Sequence, residues 1–144
     1  MSGFEDDDTC DLSVESVLNL SPDAVYRAFT DRIDEWFAVP GSLTTNPTAG
    51  GLYRFETEMD GRRHPHYGRF LALSRGERVE MTWVTGNPGT LGAETLVTVE
   101  LNAEPGGTRV RLMHSGFRDE PSRDGHRDAW PLVLAHLEKT LAGA

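Results

Sequence analysis

The sequence predicts an α+β fold, in which a curved antiparallel sheet of six to seven strands wraps around a long C-terminal helix. Between residues 42 and 117, apolar residues recur with a period of two and are interrupted by turn residues. In contrast, residues 126–141 carry apolar side chains at helical spacing. Two short helices are expected after the first strand, on one face of the sheet, as is usual for α+β domains.

The N-terminal elements follow from local signals in residues 12–40. Residues 12–20 alternate in polarity and predict the first strand. Residues 21–23 (SPD) form a helix start, with a hydroxyl cap, a proline at the first position and an acid in the first turn. Residues 33–37 have apolar side chains at spacings of three and four, and so predict a second short helix before Pro40.

The middle of the chain is predicted to be a meander of strands joined by turns. Strands are expected at 52–59, 67–74, 77–84, 93–101 and 108–114. Asp60-Gly61 is a strong two-residue hairpin signal after the first of these. The segment that follows this turn, up to residue 66, is expected to be an exposed loop, and 87–92 an open loop.

The predicted C-terminal helix, 126–141, carries an apolar stripe and an internal proline. The stripe consists of His126, Trp130, Val133, Leu134, Leu137 and Leu141. Pro131 cannot donate a backbone hydrogen bond, and its ring crowds the preceding turn, so we expect a bend there. A bent helix would leave its N-terminal half lifted off the sheet, which predicts an opening at that end.

Length and charge limit the classes of protein that this chain can represent. Its 144 residues fit a single domain, expected at 12–144, after a disordered acidic tail at 1–11. The net charge of −9 and the lack of a concentrated basic face argue against a nucleic-acid partner. Cys10 has no second cysteine to pair with, as expected for a cytoplasmic protein. No apolar run reaches the roughly 20 residues of a membrane span.

Several apolar and aromatic residues are expected to face the space between the sheet and the helix. Such residues can simply pack as core, or they can line a ligand site, since ligand sites are mostly apolar with a few polar groups. The candidate ligand-binding residues are Trp36, Tyr53, Phe55, Met81, Trp83, Val97, His114, Phe117, Trp130 and Leu134.

The histidines are the main candidates for acid–base chemistry. His114 is either a hydrogen-bonded core residue or an acid, base or ligand anchor, because its pKa is ordinarily near neutral. His126 is expected at the mouth of the opening or stacked on Trp130. His64 and His66 could share a strand face as metal ligands do, but no further ligand completes a set, so we predict no metal and no organic cofactor.

Six short motifs together resemble a known family. They are 21–26 (SPDAVY), 34–37 (DEWF), 81–83 (MTW), 107–109 (GTR), 114–117 (HSGF) and 129–131 (AWP) before a leucine-rich helix. In this order they are similar to the START/SRPBCC superfamily of helix-grip (Bet v 1/START-like) folds. Within it they resemble the branch named after the activator of heat-shock protein 90 ATPase, often labelled polyketide-cyclase-like. The resemblance covers roughly 12–141, and Ala129 stands where this branch commonly has glycine.

The resemblance implies a protein that holds a small hydrophobic, lipid- or polyketide-like ligand between the sheet and the C-terminal helix. One alternative is a cyclase or dehydratase-type enzyme that uses the same cavity, with His114, and Tyr53 or His126, as proton-transfer groups. A second alternative, taken from the name of the branch, is a protein that associates with a chaperone ATPase. An exposed edge strand would also allow a homodimer.

Overall fold

The computed structural model describes residues 11–86 and 89–142, which form a seven-stranded antiparallel sheet and a long C-terminal helix. The strands are β1 (Leu12–Leu18), β2 (Thr44–Thr45), β3 (Leu52–Met59), β4 (Arg62–Ser74), β5 (Arg78–Trp83), β6 (Thr95–Glu104) and β7 (Gly107–Ser115). The helices are α1 (Pro22–Thr30) and α2 (Glu120–Ala142), with a 3-10 turn at Ile33–Glu35. These elements confirm the predicted α+β helix-grip fold.

The strand order is β1-β7-β6-β5-β4-β3-β2, and every neighbouring pair is antiparallel. The sheet is therefore a meander whose last strand pairs back with the first. No helix within 11–86 and 89–142 is long and apolar enough to cross a membrane. The predicted acidic tail, with Cys10, and two residues of the predicted 87–92 loop lie outside the described residues, apart from Asp11 at the end of the tail.

Helix α1 begins as its sequence predicts. The Ser21 hydroxyl accepts a hydrogen bond from the backbone N–H of Ala24 at 3.1 Å, and a proline fills the first helical position. Val25 and Phe29, four residues apart, are buried on its inner face. The second short helix is reduced to the 3-10 turn, and the Trp36 indole N–H that follows it donates to the Ala28 carbonyl at 2.8 Å.

The predicted exposed loop after the β3–β4 turn is wrong, because β4 starts at Arg62 and pairs with β3 along residues 62–69. Within this segment, Pro65 has no backbone N–H to donate to a ladder. It lies opposite Glu56, whose backbone N–H instead donates to the Ser42 hydroxyl and whose carbonyl accepts from the Val39 N–H. The backbone groups of Glu56 therefore need no partner at Pro65, and the missing N–H of Pro65 costs the β3–β4 ladder no hydrogen bond.

Helix α2 begins six residues earlier than predicted, at Glu120. The Asp119 carboxylate accepts a hydrogen bond from the Ser122 backbone N–H at 2.9 Å, and the Asp119 carbonyl accepts from the Arg123 N–H at 3.2 Å. Residues 119–122 (DEPS) thus repeat the acid-and-proline helix start that was recognised at α1. The additional turns matter because they form part of the wall of the cavity described below.

We expect Asp119→Ala to weaken the start of α2, because the first-turn N–H groups lose their side-chain acceptor. The melting temperature should fall by about 2–4 °C, as for the loss of a typical helix cap in a domain of this size. Asp119→Asn, which keeps an acceptor oxygen, should retain most of the stability. Asp128→Ala is the matched control, since Asp128 is an exposed acid within the same helix. Equal melting temperatures for Asp119→Ala and Asp128→Ala would contradict the assignment.

Candidate functional site

A cavity of about 670 Å³ lies between one end of the sheet and the N-terminal half of α2. Its walls come from the β3–β4 hairpin, the end of β5, the β5–β6 connection and the first turns of α2. The apolar and aromatic lining residues include Phe37, Met59, Trp83, Leu91, Pro121, Ala129, Trp130 and Val133. The polar lining residues include Thr57, Glu58, His64, His66, Thr85, Asp119, Ser122 and His126.

Two of the ten candidate residues, Trp83 and Trp130, line this cavity. The other eight are buried in the core and are not among its lining residues: Trp36, Tyr53, Phe55, Met81, Val97, His114, Phe117 and Leu134. The cavity is displaced toward the end of β3, where Thr57 and Met59 continue the face of the earlier aromatics and reach the open space.

The aromatic residues of β3 are covered by their neighbours. The ring of Phe55 stacks on His66 with centroids 4.9 Å apart, and Tyr53 packs against Phe70 at 5.4 Å. The Tyr53 hydroxyl donates to the Thr82 carbonyl at 2.5 Å. Burial raises the pKa of Tyr53 far above its usual value, so its hydroxyl stays protonated and is engaged.

Trp83 is the centre of the aromatic cluster beside the cavity. Its ring lies 5.3 Å from His66, 5.5 Å from Trp130 and 5.8 Å from Phe55, measured between centroids. The side chain is 3% exposed, and its Nε1–H has no hydrogen-bond partner among the described residues. An indole N–H that is buried without an acceptor costs free energy unless a ligand or water supplies one.

His114 belongs to a buried chain of hydrogen bonds that joins α2 to the sheet. The Trp130 indole N–H donates to His114 Nδ1 at 3.1 Å. Since Nδ1 accepts, the neutral ring carries its proton on Nε2, which lies 2.7 Å from the Thr95 hydroxyl oxygen. That hydroxyl in turn donates to the Trp83 carbonyl at 2.5 Å. Both ring nitrogens of His114 are therefore occupied.

His114 is not among the residues that line the cavity, but it contacts Trp130 and His126, which do. Its side chain is fully buried, and burial holds its pKa well below the usual value, with nearby His126 adding to the effect. Neutral His114 matches the hydrogen bonds that it makes. Of the two roles considered for this residue, the hydrogen-bonded core histidine fits the geometry.

Three other histidines border the cavity, His64 and His66 on β4 and His126 on α2, and the rings of His66 and His126 each have Nδ1 close to a backbone carbonyl. His66 Nδ1 lies 3.1 Å from the His64 carbonyl oxygen, and His126 Nδ1 lies 2.9 Å from the Ser122 carbonyl oxygen. A carbonyl can only accept, so each Nδ1 carries the proton. In the neutral ring, each Nε2 is then a bare acceptor.

Both of these rings are held neutral near pH 7. Burial lowers the pKa of His66 to about 4, although the His64 carbonyl partly opposes the shift. Burial also lowers the pKa of His126, and the Ser122 carbonyl again opposes it. Sequence reasoning considered His66, together with His64, only as a possible metal ligand on a shared strand face, and expected the segment up to residue 66 to be an exposed loop. The spacing of two between His64 and His66 was also the signal that could have placed both on the cavity wall.

The charged groups of the lining are acids that already have partners. Glu58 lies 3.7 Å from the Arg63 guanidinium, and Asp119 caps α2. Neither lysine nor arginine is found among the described lining residues. Within 11–86 and 89–142, no group of three His, Cys, Asp or Glu side chains could hold a metal ion. The cavity thus offers apolar surface, hydroxyl and imidazole groups, and two carboxylates that already have partners.

We expect His114→Ala to lower the free energy of unfolding by about 3–5 kcal/mol, because it opens a void, leaves the Trp130 N–H without its acceptor and removes the donor to the Thr95 hydroxyl oxygen. Urea unfolding would measure this. His136→Ala is the control, since His136 is an exposed histidine of α2 outside the cavity, and it should cost less than about 1 kcal/mol. A loss below about 1 kcal/mol in His114→Ala would contradict the structural role.

The lowered pKa of His66 makes stability depend on pH with a definite sign. Between about pH 6.5 and 4 the unfolded chain binds a proton at His66 and the folded chain does not, so acidification destabilises the fold. Over pH 6 to 4.5 the unfolding free energy of the parent protein should fall more steeply than that of His66→Gln, by up to about 1.4 kcal/mol per pH unit. If urea unfolding gives the parent protein and His66→Gln the same pH dependence of the unfolding free energy, His66 is not buried as described.

The fold resembles those of several solved structures. Protein MLL2253 from Mesorhizobium loti has a TM-score of 0.76 at 24% identity, over 93% of this chain and 98% of that one. CalU16 from Micromonospora echinospora has a TM-score of 0.67 at 22% identity, over 90% and 74% of the two chains. DynU16, a protein in the dynemicin biosynthetic locus, has a TM-score of 0.74 at 20% identity, over 92% of this chain and 47% of that one.

At these identities the likeness shows the fold alone, which can carry many different functions. No curated protein matches the chain. A family model does match it, over residues 19–142, which is most of its length and includes the whole of α2. This agrees with the resemblance seen in the six sequence motifs. The chain belongs to the family described as Activator of Hsp90 ATPase homolog 1-like protein.

Proposed function

We propose that this protein binds a small, largely apolar or aromatic molecule in the cavity under the N-terminal half of α2. The observation that carries the proposal is the cavity itself, about 670 Å³ and bordered by Trp83 and Trp130. Ligand pockets commonly span 300–1,000 Å³ and combine apolar walls with a few polar groups, and this cavity has both properties.

The aromatic cluster supports an aromatic ligand in particular. Trp83, Trp130 and Phe37 present ring surfaces on the lining, with the Trp83–Trp130 and Trp83–Phe37 centroids 5.5 and 6.1 Å apart. Rings at such separations already prefer tilted and edge-to-face contacts, and an added ring could join them in the same way. The buried core behind them fixes their positions, so binding requires little ordering of the protein.

A second candidate is a cyclase or dehydratase-type reaction in the same cavity. It is favoured by the bare Nε2 atoms of His66 and His126, since an imidazole of this kind can accept a proton from a bound molecule. The biosynthetic locus of DynU16 is the other support. Tyr53 and His114, whose polar groups are already engaged, are less suited to this role. The chaperone-partner alternative rests on the family name alone.

The cavity can be tested by filling it. The neutral dye N-phenyl-1-naphthylamine should gain fluorescence on binding and quench the tryptophans. Ala129→Phe, at an exposed position of α2 that lines the cavity, should weaken dye binding at least about tenfold by occupying its volume. Ala135→Phe is the matched control, exposed on the same helix outside the lining, and should bind the dye as the parent protein does.

Circular dichroism melting would verify that both variants are folded. The proposal would be contradicted if the parent protein does not bind the dye and its melting temperature does not rise with any of a panel of aromatic compounds. Equal dye affinity in Ala129→Phe and Ala135→Phe would place the binding site elsewhere on the molecule.

A further inference from the structure

We propose that the cavity selects a neutral aromatic or polycyclic molecule that carries a phenolic or enolic hydroxyl, and that this hydroxyl donates a hydrogen bond to Nε2 of His66 or His126. This inference rests on the proposed function and specifies the class of ligand. It excludes fatty acids and other carboxylates, which an apolar cavity of this size would otherwise accept.

The first argument is the fixed tautomer of the two histidines. Each Nδ1–H is held by a backbone carbonyl, that of His64 for His66 and that of Ser122 for His126, at 3.1 and 2.9 Å. Backbone carbonyls belong to β4 and α2 and cannot rotate away. The rings therefore keep the same nitrogen bare, and a bare imidazole nitrogen accepts hydrogen bonds but gives none.

The second argument is that both rings belong to one enclosure. His66 packs against Trp83 with centroids 5.3 Å apart, and His126 packs against Phe117 at 4.9 Å. Both histidines are half-buried, and both line the cavity. They come from separate elements, β4 and α2, so a ligand between these elements meets an acceptor on either side.

The third argument is the charge of the lining. A bound carboxylate is best stabilised by lysine or arginine side chains, and the described lining residues include neither. Two neutral imidazoles would turn lone pairs toward it, and the nearby acids Glu58 and Asp119 would repel it. Glu58 already pairs with Arg63, and Asp119 already accepts from the Ser122 N–H. Both acids would therefore attract a cationic ligand less strongly than free carboxylates would.

The fourth argument is what the two bare imidazole nitrogens require of a neutral ligand. A hydroxyl group can donate a hydrogen bond to either of them. An ether or a ketone can only accept, so it would leave the histidine nitrogens without a donor. The hydroxyl is therefore the neutral oxygen group that fits these acceptors.

Four naphthalene derivatives of similar size separate these possibilities at pH 7.5. They are 2-naphthol, 2-methoxynaphthalene, 2-naphthoate and 2-naphthylmethylammonium, each measured by displacement of N-phenyl-1-naphthylamine. We expect 2-naphthol to bind about tenfold more tightly than its methyl ether, which corresponds to one or two net hydrogen bonds. It should also bind at least about tenfold more tightly than the carboxylate and the ammonium compound.

Variants assign the effect to the two histidines. In the His66→Phe, His126→Phe double variant, naphthol affinity should fall to that of the ether while ether affinity stays within about twofold. His66→Gln and His126→Gln keep an acceptor oxygen and should retain part of the preference, and they replace the double variant if it does not fold. His136→Phe is the matched control, because His136 lies on α2 outside the lining, and it should leave the preference intact.

The results distinguish this inference from the proposed function. If dye and all four compounds fail to bind, the cavity is not a ligand site and both proposals fall. If the ether binds as tightly as the naphthol, or if the preference survives in the double variant, only the hydroxyl inference is overturned. Tightest binding of the ammonium compound would overturn it in favour of a cationic ligand, and tightest binding of the carboxylate would do so in favour of an acid.

Discussion

The position of α2 over the sheet depends on one buried chain of hydrogen bonds, which runs from Trp130 through His114 and Thr95 to the carbonyl of Trp83. Each member is buried and has its polar atoms engaged, and an unmade hydrogen bond is costly in such a place. The chain also fixes which nitrogen of His114 is protonated. Because it joins the middle of the helix to β5, β6 and β7, it fixes the distance between the two layers at the inner end of the cavity.

The cavity exists because apolar packing between α2 and the sheet is complete on the C-terminal side of this hydrogen-bond chain and incomplete on its N-terminal side. Toward the C-terminus of α2, Leu134 and Leu137 are buried in the core. Toward its N-terminus, the small residues Gly125 and Ala129 line the open space. His114, His66 and His126 accordingly divide their roles. His114 has both nitrogens occupied, whereas His66 and His126 each keep one nitrogen for whatever fills the cavity.

Much of the fold could be predicted from local rules, since the Ser21 cap, the Asp60-Gly61 turn and the alternation of β3 all act within a few residues. The site was harder to predict, because its position depends on how far apart two distant elements are held. Alternation correctly placed Tyr53 and Phe55 on the inward face, but could not show that their neighbours cover them. His66 was not placed at the cavity because the segment after the Asp60-Gly61 turn was expected to be a loop, whereas Pro65 fits a strand in the pairing with Glu56.

The central claim is that one histidine has a structural role and two have bare nitrogens facing the cavity. Long-range ¹H–¹⁵N correlation NMR of the imidazole rings at pH 7 tests it most directly, because it reports which nitrogen of each ring carries the proton. The account predicts neutral rings, with the proton on Nε2 in His114 and on Nδ1 in His66 and His126. Rings that are protonated, or that exchange between tautomers as free histidine does, would contradict it.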